Sequence, residues 1–153
     1  MRVANCRLIV LLLLAGLQPG AAASSTSRSW MSEDAMRQAF IGKTLDGHYV
    51  GGLTWTETYS NDGGLDYREA IRSGTGRWSF RGEIFCTFYD PGFGLNGGCW
   101  RAIQTGANCY EFYVTDLPRS GEEADTAPGP LDGWLARGWR NSEPSTCEDR
   151  PSA

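Results

Sequence analysis

The sequence predicts a mainly β domain: a small antiparallel meander closing toward a barrel, with one short N-terminal helix and two disulfides. Three observations lead there. Short alternating runs separated by turn residues fill the chain from Lys43 to Val114, with no helical period between them. Twenty glycines and six each of tryptophan, tyrosine and phenylalanine suit short strands joined by tight turns. The cysteine count also becomes even once an export signal is removed.

That signal occupies residues 1–23. Arg2 and Arg7 give a basic start, residues 8–17 (LIVLLLLAGL) an apolar run, and Ala21, Ala22 and Ala23 the small residues of a cleavage site near Ala23. A run of about ten apolar residues falls short of the roughly 20 needed to span a bilayer, so no transmembrane segment is expected after cleavage. Cys6 precedes the apolar run, away from the position a lipoprotein acylation needs. The expected destination is the periplasm or the exterior. Losing Arg2 and Arg7 takes the formal net charge from −4 to −6. No basic run remains, which argues against nucleic acid or an anionic membrane surface as partner. The mature chain is one domain's worth, large enough to bury roughly two-thirds of its unfolded surface.

Cleavage leaves Cys86, Cys99, Cys109 and Cys147, which allow three connectivities. Cys86–Cys99 with Cys109–Cys147 is preferred, because strands 83–89 and 99–104 pairing across the loop at 90–98 bring Cys86 and Cys99 nearly opposite. The loop-entropy model assigns such bridges about 3 and about 4 kcal/mol. A metal site has little to stand on: there is no Cys-x-x-Cys pair, and His48 is the sole histidine. No cofactor is implied.

The elements follow in order. Residues 24–31 read as a flexible N-terminus and 32–117 as a β domain opened by a helix. Ser32 is its N-cap, Glu33 and Asp34 favour the dipole in its first turn, and Ala35, Met36, Ala39, Phe40 and Ile41 form an apolar face. Gly42 ends it. The helix is short enough to plug one end of a barrel. A first strand spans 44–50, and 53–60 (LTWTETYS) alternates with period two. The turn Asn61-Asp62-Gly63-Gly64 leads into a return strand at 65–72, in a register that sets Glu57 opposite Arg68. Trp78 and Phe80 share a face, which Ile84, Cys86 and Phe88 continue past a turn at Arg81-Gly82. Strands at 99–104 and 109–114, turning at Gly106-Ala107, bring the count to about six, and closure removes the exposed edges. Residues 118–147 form a C-terminal extension tied down by a disulfide. Within it 118–130 is a Pro, Gly and acid-rich linker, and 134–139 (WLARGW) is a last strand or a segment across the open seam. Residues 148–153 are tail.

Gly42-Lys43-Thr44-Leu45, Trp55 with Tyr59, Gly76-Arg77-Trp78, Cys86, Cys99-Trp100-Arg101 and Tyr110-Glu111-Phe112-Tyr113 together resemble a group of small exported proteobacterial proteins of uncharacterised function. The likeness spans about residues 40–114. It implies a bacterial envelope location and offers no catalytic residues. Gly76-Arg77-Trp78 also resembles the Gly-x-Trp of calycin-type barrels, the lipocalin- and streptavidin-like group, and implies a calycin-like barrel.

Candidate chemistry is sparse. His48 has no serine setting beside it. Glu57, among Trp55 and Tyr59, could have the raised pKa of a glycosidase acid with Asp66 near it, yet the cross-strand pair with Arg68 is the preferred reading. Residues 61–66 fail the calcium-loop pattern and read as a plain turn. Phe85, Tyr89, Phe93, Trp100 and Tyr113 exceed what the Trp78 face can hold. They face a cavity, a partner or the C-terminal segment, and make the candidate ligand-binding set at a barrel mouth rimmed by the Gly-rich loop 91–98. The resulting reading is an exported non-enzymatic binding module for a small apolar or aromatic molecule or for an envelope or host protein surface. An inhibitor of a periplasmic or host hydrolase is the alternative, followed by a hydrolase using Glu57 and by a purely structural envelope protein. A filled interior would point to surface recognition, a hollow one to ligand carriage.

Overall fold

A computed structural model of the chain describes residues 28–92, 94, 97–115 and 133–147. The expected export signal, the linker, the tail and Phe93 lie outside them. The described part is a closed eight-stranded antiparallel barrel preceded by one helix, α1 (Glu33–Phe40). The strands are β1 (Lys43–Tyr49), β2 (Thr54–Tyr59), β3 (Gly64–Glu69), β4 (Ser73–Arg81), β5 (Ile84–Tyr89), β6 (Gly98–Gly106), β7 (Cys109–Val114) and β8 (Ala136–Arg140). Each pairs with its sequence neighbour, and β8 pairs with β1 to close the ring. Among the described residues no helix is long and apolar enough to cross a membrane.

The helix forms where the sequence places it. Ser32 Oγ accepts from the Ala35 amide at 3.2 Å, and Gly42, at φ +70°, turns the chain into β1. Met36 and Phe40 are wholly buried. The Phe40 ring meets Tyr59, Phe85, Tyr110 and Phe112 at centroid distances of 5.1–6.5 Å. These residues come from the ends of β2, β5 and β7 that lie together, so α1 plugs that end of the barrel. Arg37 seals the plug's edge, its guanidinium 4.5 Å from the Phe80 ring centroid and paired with Glu33.

Four expectations are corrected by register. The described residues form eight strands rather than about six. The sequence offered 134–139 as a last strand or a segment across the seam and left the choice open, because the inward residues of β8 are Ala136 and Gly138, too small to show an apolar alternation. Their smallness has a cause: the Trp55 indole lies over the paired Gly47 and Gly138, and a Cβ on either would come within 2.3 Å and 2.8 Å of its ring. β8, Ala136–Arg140, is therefore the strand that closes the seam, within what reads from sequence as an extension. Second, Glu57 pairs with Tyr67 and not with Arg68, whose partner is Thr56. Leu65, Tyr67 and Glu69 are the buried residues of β3, and a slip of one residue would turn all three outward. Third, Arg81 pairs with Ile84, so the turn is Gly82-Glu83 and not Arg81-Gly82. Phe85, Thr87 and Tyr89 consequently share the inner face with Trp78 and Phe80, while Ile84 and Cys86 lie on the outer wall. Fourth, Gly106 pairs with Cys109, which puts that turn at Ala107-Asn108.

Both disulfides form as preferred. Cys86 and Cys99 are directly opposed, with Cα atoms 4.1 Å apart, and Cys109–Cys147 fastens the chain end beneath β7 and β8. Asn108, almost wholly buried, holds the same segment by donating to the carbonyls of Arg140, Glu143 and Pro144 and accepting from the Arg140 amide.

Candidate functional site

With α1 at one end, the ends of β1 and β2, β3 and β4, β5 and β6, and β7 and β8 that are joined in sequence gather at the other, the mouth, because strands alternate in direction around the ring. Below the mouth lies a cavity of about 30 Å³ lined by Tyr49, Trp55, Glu57, Tyr59, Phe85, Thr87, Tyr89, Trp100, Phe112 and Ala136. A site for one water needs roughly 10–15 Å³ on this measure, so the cavity holds about two water-sized groups. Tyr49, Tyr89 and Trp100 are only partly buried, so the cavity wall reaches the surface at the mouth.

Glu57 is the charged group of this wall. Period-two alternation along β2 points Trp55, Glu57 and Tyr59 inward together. Tyr59 donates its hydroxyl to Glu57 Oε2 and Tyr89 donates to Oε1, one donor from the same strand and one from across the barrel. Burial pushes the Glu57 carboxyl up, and the two tyrosyl donors partly offset that rise. Burial and the neighbouring carboxylate push both tyrosines up as well, so they remain donors over the working pH range. The Trp55 Nε1–H, also buried, meets no acceptor.

A second carboxylate lies beside the mouth. Glu69 accepts from the Tyr67 hydroxyl at 3.0 Å and pairs with Arg72 of the β3–β4 connection, and the Tyr67 and Tyr49 hydroxyls lie 3.4 Å apart. A third, Glu111, sits on the outer face of β7. Arg137 donates to its Oε1 through Nε at 3.1 Å and Nη2 at 2.7 Å, while Tyr113 and Arg28 serve Oε2 at 2.8 and 3.2 Å. Burial and that carboxylate push the Tyr113 hydroxyl up to about 12.

Of the five ligand-site residues expected from sequence, Phe85, Tyr89 and Trp100 come together on the cavity wall. Tyr113 does not. It lies outside the barrel, edge-on to Trp30 at 5.2 Å and clustered with Ile103 and Trp134. The alternation along β7 sets it opposite to Tyr110 and Phe112, which face inward. Phe93 lies outside the described residues. Tyr49, Trp55, Tyr59, Thr87, Phe112 and Ala136 were missed. The signal for them was the register: once Glu57 is opposed to Tyr67, β2 contributes its entire aromatic face to the cavity. Asp66, the suggested carboxylate partner of Glu57, is exposed on the outer face. His48 is also outward, packed edge-on against Trp134 at 5.4 Å with Nδ1 3.2 Å from the Tyr49 carbonyl. Asn61–Asp66 is a hairpin turn in which Asp62 accepts from the Gly64 amide. Among the described residues no group of three or more His, Cys, Asp or Glu side chains is placed to hold a metal.

No family model, curated protein or solved structure matches the chain.

Proposed function

We propose that the chain is an exported, non-enzymatic binding module that recognises a partner's surface across the barrel mouth. One observation carries this: the mouth concentrates exposed apolar side chains, while α1 closes the opposite end. Val50 and Leu53 stand on the β1–β2 connection, Ile71 on β3–β4, Val114 at the end of β7 and Leu135 just before β8. Ile71 is 90 % exposed. Exposed apolar residues gathered at one end of a fold mark interaction sites. The cavity volume favours a partner's surface over a ligand carried inside, since about two water-sized groups is too little for an aromatic or lipid molecule. Two disulfides and the resemblance to exported bacterial proteins support an envelope location.

The test is affinity capture from envelope extracts with the oxidised chain, run beside a variant carrying Leu53→Asp, Ile71→Asp and Val114→Asp. All three sites are exposed, so the fold should tolerate the charges. The expected result is a saturable partner that the variant loses and that an outer-wall control, Phe88→Asp, retains. Equal capture by wild type and mouth variant would overturn the reading.

A further inference from the structure

Glu57 is the odd one among three buried glutamates, each of them less than 10 % exposed. Glu69 has Arg72, and Glu111 has Arg137 and Arg28. Among the described residues no Lys, Arg or His lies within ion-pair distance of Glu57; both its oxygens accept from tyrosines. A buried carboxylate without a counter-charge is costly to retain. What surrounds it instead is a set of aromatic walls: Tyr49, Trp55, Tyr89, Trp100 and Phe112 line the same cavity. Ring faces plus one carboxylate are the chemistry that receives an organic cation.

We infer that the cavity beside Glu57 receives a primary alkylammonium group, with Glu57 as its counter-ion and the surrounding rings as its cage. Size selects within the class. A space for about two water-sized groups accepts an ammonium head and its first methylene or one accompanying water, and excludes a trimethylated head or a planar guanidinium. The alkyl stem leaves past Tyr49, Tyr89 and Trp100, where the exposed Val50, Leu53 and Ile71 offer apolar contact of the kind long cationic side chains use. The inference rests on the mouth reading above only for the route by which the group arrives. The same chemistry is offered by a lysine side chain of a partner protein and by a free alkylamine.

The probe is n-butylammonium chloride, titrated into the oxidised full chain at about pH 8, where the alkylamine is still protonated. Binding is read by calorimetry and by the carboxyl carbon NMR signal of Glu57. The expected result is saturable binding that shifts that signal, with affinity at least roughly tenfold above 1-butanol, tetramethylammonium and guanidinium. Glu57→Gln should lower the affinity by a similar factor. If that variant fails to fold, the Glu57 signal in the wild type carries the test alone. Equal binding of butanol and butylammonium, or a Glu57 signal that ignores the amine, would overturn the inference. Nα-acetyl-lysine N-methylamide distinguishes the sources: its binding favours a protein-borne lysine, and binding of butylammonium alone a free amine, each consistent with the shared chemistry. Loss of partner capture on mouth substitution together with indifference to butylammonium would sink this inference and leave the mouth reading standing; the opposite pair of results would do the reverse.

Discussion

At the scale of single residues, three buried glutamates behave differently because their neighbours differ. Glu111 is matched by an arginine that donates twice to one oxygen, so removing its charge takes that carboxylate from the buried Arg137. Glu111→Gln should cost about 3–5 kcal/mol in urea unfolding. Glu57→Gln should behave otherwise. Burial lifts the folded pKa of Glu57 above its ordinary 4.5, so over that interval the folded chain holds a proton that the unfolded chain has released. The stability Glu57 contributes is complete below the unfolded value and is lost as pH rises through the folded one. Wild type should therefore lose stability relative to Glu57→Gln between acid and neutral pH; parallel curves would contradict a buried carboxylate without counter-charge. In the sequence, the placement of Glu57 between Trp55 and Tyr59 was legible, as was its capacity for a raised pKa. Its lack of a cationic partner was not, because a turn counted one residue too long assigned it Arg68.

At the scale of elements, the signals that could be read were those with local causes. Ser32, Glu33 and Asp34 mark the start of α1 and Met36, Ala39 and Phe40 its buried face, and the helix spans Glu33–Phe40 accordingly. Phe40→Ala should cost about 3–5 kcal/mol, measured by urea unfolding, since four aromatic neighbours would face the resulting cavity. An effect below about 1 kcal/mol, typical of a surface site, would mean that the helix is not the plug. β8 was less readable. Its inward side chains are small because the Trp55 indole occupies the space they would fill, and that is a constraint set by β2, some eighty positions earlier in the chain. Hairpin turns were located to within a residue, yet one residue reverses a strand's faces, which is why the Phe85 side of β5 and the Ile84 side were exchanged.

At the scale of the whole molecule, the barrel, its helix and both disulfide pairings followed from pattern and cysteine count. The mouth did not. It exists only because antiparallel closure brings alternate strand ends to one end of the barrel, so Val50, Leu53, Ile71, Val114 and Leu135 share that end in a way that no window of sequence displays. Closure also turns the inner face of β2 toward β5, which lets Tyr59 and Tyr89 hold Glu57 between them. The register of the whole ring is thus expressed in the ionisation of one carboxyl. Carbon NMR titration of the Glu57 side chain, in wild type and in Arg68→Ala, reads it most directly. Inside the barrel, Glu57 should titrate above 4.5 and be unmoved by loss of Arg68; a Glu57 that titrates at or below that value in wild type, and rises when Arg68 is removed, would place it on the outer wall in an ordinary ion pair and contradict the site described above.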